Sequence, residues 1–518
     1  MKAKGKVYLV GAGPGDAGLL TLRGAELLGR ADVVIYDGLV NLELLKLAPA
    51  GAEMVFGGKR PEERAIPQEK LNALLIARAR EGKCVVRLKG GDPYIFGRGG
   101  EEALELAEAH VPFEVVPGVS SVVAAPNYAG IPLTHRDFCS SFTVMTGHED
   151  PSKPAAGLEL EQIAKIPGTK VILMGVQRIR EIAEGLTAQG MAANTPVAMV
   201  RWGATGRQQS IEGTLATIAD VVAQTGFKPP AVTIIGDVVK LRDKLNWFEH
   251  RPLFGQRVVV TRTRDQASAL SRQLLELGAD VLEVPTIKLA RPDEPQDVVD
   301  AILGLNSYDW LVFTSANGVT AFLELFFKTF DDLRDIGGVR IAAVGPGTAA
   351  RLKEVHLKVD LMPEEYLAAG IAASFAKFES VENLRMLLLR AQVANPELPK
   401  ALKALGAIVD DVACYKTVPE NEDRNGAAAR MLEVGADWIT FTSASTVENF
   451  HARFNLPELQ NKFPGMKLAS IGPETTNAIQ ALGLKATVEP REHTIAALVG
   501  AIELQVKQER GATSPNQP

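Results

Sequence analysis

The chain is poor in the features that mark membrane, secreted and metal-binding proteins. It holds 3 cysteines in 518 residues, Cys84, Cys139 and Cys414, without the spacing of metal ligands. This argues against a disulfide scaffold and favours a reducing cytoplasm. Gly, Pro or charged residues interrupt every apolar stretch before the ~18 residues of a membrane-spanning helix. The amino terminus has no signal-peptide core. We therefore expect a cytoplasmic protein without a metal site or membrane contact.

Charge of neither sign dominates the sequence. The 56 Lys and Arg residues against 62 Asp and Glu residues leave a net charge of −6. The protein has no global basic field, so nucleic acid is not an expected partner. An anionic small molecule would need arginines gathered locally. Core material is abundant, because 46% of the residues are apolar and 23% are charged, as in soluble globular proteins with several buried cores.

Short β-branched runs alternate with longer helical stretches along the chain, which predicts an α/β architecture with mostly parallel sheets. The length allows about two to four domains. The pattern breaks at NWFEHRPLFGQ (246–256), where aromatic residues and a proline separate a helix from a new strand. We therefore expect a first domain at 1–248, a linker at 249–255, a second domain at 256–505 and a polar tail at 506–518.

The second half of the chain contains an internal repeat. Three pairs of segments lie 127 or 128 residues apart: DWLVFTSANGVTAF (from Asp309) and DWITFTSASTVENF (from Asp437), the strand–arginine segments at Arg262 and Arg390, and the GP-T loops at Gly345 and Gly472. The period is far too long for a solenoid. It predicts two homologous α/β lobes, each with an arginine loop, an FTSA loop and a GP-T loop, and a ligand cleft between them.

In the first half, two glycine loops follow predicted strands, GAGPGD (11–16) and GGDP (90–93). Open α/β sheets bind ligands at such strand ends. The first loop has G-x-G-x-G spacing and lacks the third glycine of a dinucleotide-binding fingerprint, which disfavours NAD. A plain tight turn is the structural alternative.

Several further segments carry a family resemblance: YDGLV (36–40), VFGGKR (55–60), RLKGGDPYIFGRGGEE (87–102), VVPGVSS (115–121) and GIPLTHRD (130–137). Together with LRDKLNWF (241–248), they make the first half resemble the uroporphyrinogen-III C-methyltransferases. These enzymes use S-adenosylmethionine, release S-adenosylhomocysteine and serve the sirohaem and cobalamin branch. The resemblance covers about residues 5–248. It implies a two-lobed tetrapyrrole methyltransferase fold and a homodimer formed through this half.

The resemblance also implies where the methyl donor binds. A sulfonium with an adenosine and an amino-acid tail needs tight polar loops, an apolar slot and few charges near sulfur. The implied donor residues are Pro14, Gly90, Gly91, Asp92, Ile95, Ser120, Ser121, Met174, Gly203 and Ala231. Taken alone, Ile95 and Met174 are more typical of a core. The segment WGATGRQ (202–208) and the pair Ser120-Ser121 depart from the family pattern. We expect these departures to affect the affinity for the methyl donor more than the type of reaction.

The methyl acceptor of the family is a cyclic octacarboxylate, and arginine pairs well with carboxylates. The candidate cations are Arg60, Arg87, Arg98 and Arg136, with Lys59 and Lys89. Solvated surface is the alternative for each. The resemblance implies Asp37 as proton acceptor and Lys59 as proton donor, whereas an N-cap is the structural alternative for Asp37.

In the second half, the paired FTSA and GP-T loops, PEEYLAAG (363–370) and CYKT (414–417) resemble uroporphyrinogen-III synthase. The match covers about 256–505 and implies closure of hydroxymethylbilane without a cofactor. The candidate binders in its Ser/Thr/Gly loops are Thr261, Arg262, Ser315, Ser443, Thr475 and Thr476, through backbone amides that hold anions. Tyr415 is the candidate proton donor for the departing hydroxyl. N-caps and a strand aromatic are the structural alternatives.

The sequence therefore predicts a bifunctional enzyme that forms uroporphyrinogen III and methylates it at C-2 and C-7 to precorrin-2. Since no dehydrogenase/chelatase domain precedes the methyltransferase, oxidation and metal insertion are expected to belong to other proteins. One alternative keeps the methyltransferase and makes the second half a non-catalytic tetrapyrrole-binding module. A second alternative is another precorrin methyltransferase or a nicotinamide oxidoreductase.

Overall fold

The computed structural model describes residues 5–58, 67–147, 160–262, 264–363, 368–423 and 426–512. The strands of the first half are β1 (Lys6–Gly11), β2 (Val33–Tyr36), β3 (Glu53–Phe56), β4 (Cys84–Lys89), β5 (Phe113–Val116), β6 (Phe142–Thr146), β7 (Thr169–Leu173), β8 (Pro196–Arg201), β9 (Gln209–Thr214) and β10 (Ala231–Ile235). Its helices are α1 (Leu22–Leu28), α2 (Gln68–Arg80), α3 (Gly99–Glu108), α4 (Ser121–Tyr128), α5 (Leu160–Lys165), α6 (Ile179–Ala188), α7 (Ile218–Thr225) and α8 (Arg242–Leu245).

The second half continues the alternation of strands and helices. Its strands are β11 (Arg257–Val260), β12 (Asp280–Glu283), β13 (Ile287–Ala290), β14 (Trp310–Phe313), β15 (Arg340–Ala343), β16 (Arg385–Ala391), β17 (Ile408–Pro419), β18 (Trp438–Phe441) and β19 (Lys467–Ser470). Its helices are α9 (Arg264–Glu276), α10 (Pro295–Leu303), α11 (Ala316–Thr329), α12 (Pro346–Glu354), α13 (Ala368–Phe378), α14 (Glu397–Ala404), α15 (Ala427–Val434), α16 (Ala444–Phe454), α17 (Leu456–Lys462), α18 (Pro473–Ala481) and α19 (Ile495–Ala512). Among these described helices, none has both the length and the apolar character needed to cross a membrane.

The first sheet is parallel throughout and has the order β3-β2-β4-β1-β5. Its inner strands β2 and β4 are almost continuously buried, as expected for a parallel sheet covered on both faces. Because all strands run the same way, the loops that follow them meet at one edge. We call this the carboxyl edge; it includes 12–16 after β1, Asp37 after β2, 90–93 after β4 and 117–120 after β5.

The second sheet of the first half has the order β6-β7-β10-β8-β9. Strands β6 and β7 are parallel, and the other neighbouring pairs are antiparallel. The segment 202–208 joins β8 to β9 directly and is too short for a parallel crossover, which requires about a dozen residues. Helix α6 packs Ile179, Ile182 and Leu186 against this sheet. The first half therefore has two α/β lobes, as predicted.

The second half also forms two α/β lobes, which confirms the predicted fold class. Lobe 1 has the strand order β12-β11-β18-β19, and lobe 2 has the order β13-β17-β16-β14-β15. The equivalent strands β14 and β18 begin at Trp310 and Trp438, and both tryptophans are fully buried. Each lobe has its own apolar cores.

The two repeats of the sequence do not coincide with the two lobes. The first repeat supplies β11 and β12 to lobe 1 but β14 and β15 to lobe 2. The second repeat supplies β16 and β17 to lobe 2 and then returns β18 and β19 to lobe 1. The chain crosses between lobes twice, and the crossings lie side by side: Glu420 N donates to the Thr286 carbonyl at 2.9 Å. Arg453 donates to the carbonyls of Pro285 and Glu420 at 3.2 and 2.9 Å.

The predicted linker at 249–255 packs on both of its neighbours. Glu249 pairs with Arg242 of α8 at 2.6 Å. The Phe254 ring meets the Phe248 ring edge-on at 5.6 Å between centroids. On the other side, Leu253 N donates to the Leu277 carbonyl at 2.8 Å. The end of the first half, the linker and lobe 1 are therefore in continuous contact.

Candidate functional site

Glycines bring the loops of the carboxyl edge into backbone contact. A Cβ on Gly11 would lie 2.5 Å from Gly118 Cα, and one on Gly118 would lie 2.3 Å from the Gly91 carbonyl oxygen. Gly13 and Gly91 have φ of +76° and +72° and exchange backbone hydrogen bonds of 3.2 and 2.8 Å. Side chains at Gly11 or Gly118 would force the loops apart, and side chains at Gly13 or Gly91 would strain the left-handed backbone. The predicted donor residues Gly90 and Gly91 thus belong to a backbone cradle, with Pro14 in the facing loop.

Asp92 holds this cradle in shape. Its Oδ1 accepts hydrogen bonds from the backbone N–H groups of Tyr94 and Ile95 at 2.8 and 3.2 Å. Its Oδ2 accepts from Gly118 N at 3.0 Å. The carboxylate therefore ties the loop after β4 to the loop after β5. It fixes the backbone on which Ile95 is carried.

Helix α4 begins and ends at this site. Ser120 Oγ accepts from Val122 N at 3.3 Å and caps the helix, which starts at Ser121. At the other end, the Tyr128 hydroxyl donates to Asp16 Oδ2 at 2.8 Å. Burial, together with this carboxylate, raises the pKa of the Tyr128 phenol. The glycine loop and α4 are thus held together.

Two of the predicted donor residues are exposed apolar side chains. Ile95 is 45% exposed, and Met174 is 51% exposed with a left-handed backbone (φ 56°). Neither is a core residue, so the core alternative does not apply. Met174 follows β7 directly, and Ala231 begins the neighbouring strand β10 opposite Arg201 of β8. An exposed apolar group such as Ile95 beside polar backbone loops suits an adenosine with a charged tail.

The segment 202–208 packs between the glycine loop and α4. A Cβ on Gly203 would lie 2.6 Å from the Ala125 Cβ. A Cβ on Gly15 would lie 2.5 Å from Thr205 Cγ2. Within the segment, Ala204 N donates to Gln208 Oε1 at 3.0 Å. The segment therefore forms a wall beside the glycine loop, and the predicted donor residue Gly203 lies in that wall.

Asp37 lies at the carboxyl edge, directly after β2. Its Oδ1 accepts from Leu39 N at 3.1 Å, and its Oδ2 faces Gly90 N at 3.4 Å. The Arg87 guanidinium is 3.9 Å from Oδ2. Asp37 thus caps the turn that follows β2 and is not a helix N-cap, because Asn41 caps the helical turn at Leu42–Leu47. Asp37 also lies against Gly90 of the predicted donor site, which is compatible with its predicted role as proton acceptor.

A buried ionic cluster lies below this edge. Arg87 and Lys89 on β4 both bind Glu102 Oε1 of α3, at 3.2 and 2.8 Å. Glu102 is fully buried, and the Arg87 and Lys89 side chains are 6% and 5% exposed. Gln68 Nε2 donates to the same oxygen at 3.1 Å. Burial and the neighbouring Arg87 lower the pKa of Lys89. Arg87 and Lys89 are therefore held by a carboxylate of the protein itself.

The other predicted cations divide into two groups. Arg98 is exposed and pairs with Glu101 Oε2 at 2.6 Å. Arg136 is exposed in the loop after α4. Lys59 and Arg60 lie outside the described residues, so their predicted roles have no structural account.

In the second half, Tyr415 and Ser315 meet at the carboxyl end of the lobe 2 sheet. Ser315 caps α11 by accepting from Gly318 N at 3.1 Å. The Tyr415 hydroxyl lies 3.0 Å from Ser315 Oγ and is also hydrogen bonded to Asn317. Burial raises the pKa of the Tyr415 phenol, although these hydrogen bonds oppose the shift. The phenol therefore stays protonated and is oriented by two polar partners.

The remaining predicted binders use their side chains within the protein. Thr261 is fully buried and donates to the Thr440 carbonyl at 2.8 Å. Ser443 forms a capping box with Thr446 at the start of α16. In α18, Thr475 is buried and Thr476 binds Glu489. Arg262 is half-buried, and burial lowers its pKa. Any contact of the threonine loops with an anion would therefore use backbone N–H groups.

Sequence reasoning missed Glu102 and Asn317. Glu102 is the second glutamate of GRGGEE, and nothing in the sequence distinguishes it from the exposed Glu101 beside it. Asn317 stands in the FTSAN loop where the second repeat has Ser445. That asymmetry between otherwise matching loops was an available signal.

Comparison with known proteins agrees with both resemblances. The family model described as Tetrapyrrole (Corrin/Porphyrin) Methylases matches residues 6–219, and that described as Uroporphyrinogen-III synthase HemD matches residues 268–500. The porphyrin biosynthesis protein HemD of Ruminiclostridium josui is 38% identical over 96% of this chain and 97% of that protein. A uroporphyrinogen-III C-methyltransferase of Bacillus subtilis (strain 168) is 39% identical over 74% of this chain and 77% of its own length. An S-adenosyl-L-methionine-dependent uroporphyrinogen III methyltransferase of Methanosarcina barkeri is 50% identical over 46% of this chain and 94% of its own length.

Proposed function

Because the chain belongs to the tetrapyrrole methylases through its first half and to the uroporphyrinogen-III synthases through its second half, we propose that it makes uroporphyrinogen III and then methylates it. The observation that carries this proposal is that both families match the same chain. In addition, one relative is similar over 96% of this chain. The glycine cradle in the first half and the oriented Tyr415 hydroxyl in the second half support it.

The second half closes hydroxymethylbilane, a linear octacarboxylate, and needs no cofactor. Departure of the hydroxyl group as water leaves an azafulvene cation. Attack at the substituted carbon of ring D gives a spiro intermediate, and ring D is then re-joined in inverted orientation. The Tyr415 hydroxyl donates the proton with which the hydroxyl leaves as water. The loops that carry Ser315 and Ser443 orient the carboxylates, since one folded conformer must be selected before closure.

The first half carries out the methyl transfer at the carboxyl edge of its first sheet. S-Adenosylmethionine, when bound, supplies the methyl group from its sulfonium and leaves as S-adenosylhomocysteine. The glycine cradle would hold the donor through backbone polar groups, and Ile95 and Met174 would offer it apolar surface. The acceptor carbon is electron-rich, so orientation is the main requirement. Asp37 accepts the proton that is lost afterwards. Two rounds, at C-2 and C-7, give precorrin-2.

Incubation of the full chain with hydroxymethylbilane tests both activities. Without S-adenosylmethionine we expect uroporphyrinogen III, and with it we expect the dimethylated product, both identified by mass and isomer analysis. Formation of the type I isomer alone would mean that the second half only binds tetrapyrroles. Absence of any methylated product in the presence of added uroporphyrinogen III would refute the methyltransferase assignment.

Asp37→Asn is expected to lower kcat of methylation by about tenfold. The loss is smaller than the ~10²-fold or more of a base that acts in the transition state, because the proton leaves after the methyl group has moved. The matched control is Asp32→Asn, at the opposite end of β2, where the carboxylate accepts from Cys84 N at 2.7 Å. Equal rates for both variants and the wild type would exclude Asp37 as the proton acceptor.

We also propose that the protein is a homodimer formed through its first half. Light scattering on the purified chain is expected to give twice the mass of one chain. A single-chain mass at micromolar concentration would contradict this.

A further inference from the structure

The segment 202–208 contacts the second half as well as the glycine loop. Gly206 packs on the peptide bond between Ala279 and Asp280, where the edge strand β12 of lobe 1 begins. A Cβ on Gly206 would lie 2.2 Å from the Ala279 carbonyl carbon and oxygen and 2.4 Å from Asp280 N. This is backbone against backbone, so no flexible side chain is available to yield. The two halves meet here without space for a methyl group.

The next residue, Arg207, adds an electrostatic interaction with lobe 1. The Arg207 guanidinium stacks on the Trp202 ring at 3.7 Å from its centroid. Burial and the nearby Arg430 lower the pKa of Arg207 to about 10, while Asp280 opposes the shift. Asp280 also binds Arg430 at 3.2 Å and Arg257 at 3.1 Å. One nearly buried carboxylate of lobe 1 therefore compensates guanidinium groups from both halves.

A second contact between the halves lies on the same side of lobe 1. Lys46, in the helical turn that Asn41 caps, forms an ion pair with Glu283 of β12. The Glu283 side chain is 5% exposed, and its other oxygen accepts from Ser271 Oγ at 2.6 Å. Asn41 itself donates to the Gly15 carbonyl at 2.6 Å. Strand β12 thus contacts the segment 202–208 and the helical turn that Asn41 caps. Both of these also contact Gly15 of the glycine loop.

From these contacts we propose that lobe 1 of the second half holds the segment 202–208 in the shape that the methyl donor requires. Few residues lie between lobe 1 and the donor site. The Ala279–Asp280 peptide packs against Gly206, and the adjacent Thr205 packs against Gly15, which follows Pro14. The proposal rests on the donor site proposed above. No residue of lobe 1 needs to touch the donor, so Asp280 acts as a positioning residue. Donor affinity in the first half then depends on the second half.

The steric test is Gly206→Ala in the full chain. The added methyl group cannot fit against the Ala279 carbonyl, so the segment 202–208 must shift relative to Gly15. We expect the Kd for S-adenosylhomocysteine, measured by calorimetry, to rise about tenfold. The KM for S-adenosylmethionine should rise with it, while the KM for uroporphyrinogen III should not change. The matched control is Gly51→Ala, where a Cβ would have no neighbour within 4 Å.

The charge test acts from the other half. Asp280→Asn keeps the side-chain shape but removes the negative charge that pairs with Arg257 and Arg430 and also attracts Arg207, and we expect the same Kd to rise about fivefold. The control is Asp410→Asn, which removes an arginine-paired but more exposed carboxylate in lobe 2, where Asp410 binds Arg385 at 3.2 Å and the Tyr308 hydroxyl at 2.7 Å. This variant should bind S-adenosylhomocysteine like the wild type.

The outcomes separate this proposal from the proposed function. If the wild-type chain does not bind S-adenosylhomocysteine, the donor site itself is refuted. If the wild type binds it and folded Asp280→Asn binds it equally well, the dependence on lobe 1 is refuted. Should Gly206→Ala fail to fold, Asp280→Asn decides alone. A lower melting temperature with unchanged donor Kd and KM also counts against the proposal, because it would mean that the contact only joins the halves.

Discussion

Tyr415→Phe is expected to lower kcat for hydroxymethylbilane closure by about 10²-fold, the usual contribution of a positioned general acid. The phenol is buried, and its hydroxyl is held by Ser315 at 3.0 Å and by Asn317. Its raised pKa keeps it protonated at every pH below its ordinary value of about 10. The wild-type rate should therefore show no loss between pH 7 and 9 from this group. KM should change little, since a single hydroxyl contributes little to binding an octacarboxylate.

The matched control for this experiment is Tyr308→Phe. Tyr308 belongs to the same lobe but precedes β14, at the opposite end of the sheet, and its hydroxyl donates to Asp410 at 2.7 Å. Both variants lose one hydrogen-bonded phenol and a similar stability of about 1 kcal/mol. Only Tyr415→Phe should lose catalysis. A Tyr415→Phe rate within threefold of wild type would move the proton donor elsewhere in the cleft.

Glu102→Ala is expected to reduce the free energy of unfolding of the first half by about 3–5 kcal/mol, as when one partner of a buried ion pair is removed. Arg87 and Lys89 would remain buried without their carboxylate. Urea unfolding of the full chain, followed by circular dichroism, measures the loss of stability. Because Arg87 also lies 3.9 Å from Asp37, the methylation rate should fall as well.

The deficit of Glu102→Ala should shrink as pH rises. The folded-state pKa of Lys89 is already lowered by burial and by Arg87, and loss of Glu102 lowers it further. The unfolded chain then binds more protons than the folded one, so stability rises with pH toward the ordinary lysine pKa of about 10. The control is Glu101→Ala, whose exposed pair with Arg98 should contribute less than about 1 kcal/mol. Equal stability losses for the two variants would show that the cluster is not a buried ionic one.

The sequence predicted the two α/β halves because hydrophobic periodicity and glycine loops are local features. The GGDP and GAGPGD loops follow strands, and in a parallel sheet such ends must meet, as they do at Gly13 and Gly91. The buried state of Arg87 and Lys89 was not predictable, because their partner Glu102 lies on another element. Ser443 was predicted both as a binder and as a cap, and local spacing alone accounts for the capping that is observed. Ser120 was predicted only as a binder, and the structure shows that it also caps α4.

By itself, the sequence determined the two families, the duplication in the second half and the identity of most candidate residues. Only the tertiary structure decided how the repeats are shared between lobes. Similar sequences specify similar strands, but which sheet a strand joins depends on packing between distant segments. The contact of Gly206 with Ala279 was likewise decided by the fold, as was the ion pair of Lys46 with Glu283, 237 residues away. Residues far apart in the sequence acquire a common environment only when their elements pack, so the contacts between the two halves could be found only from the structure.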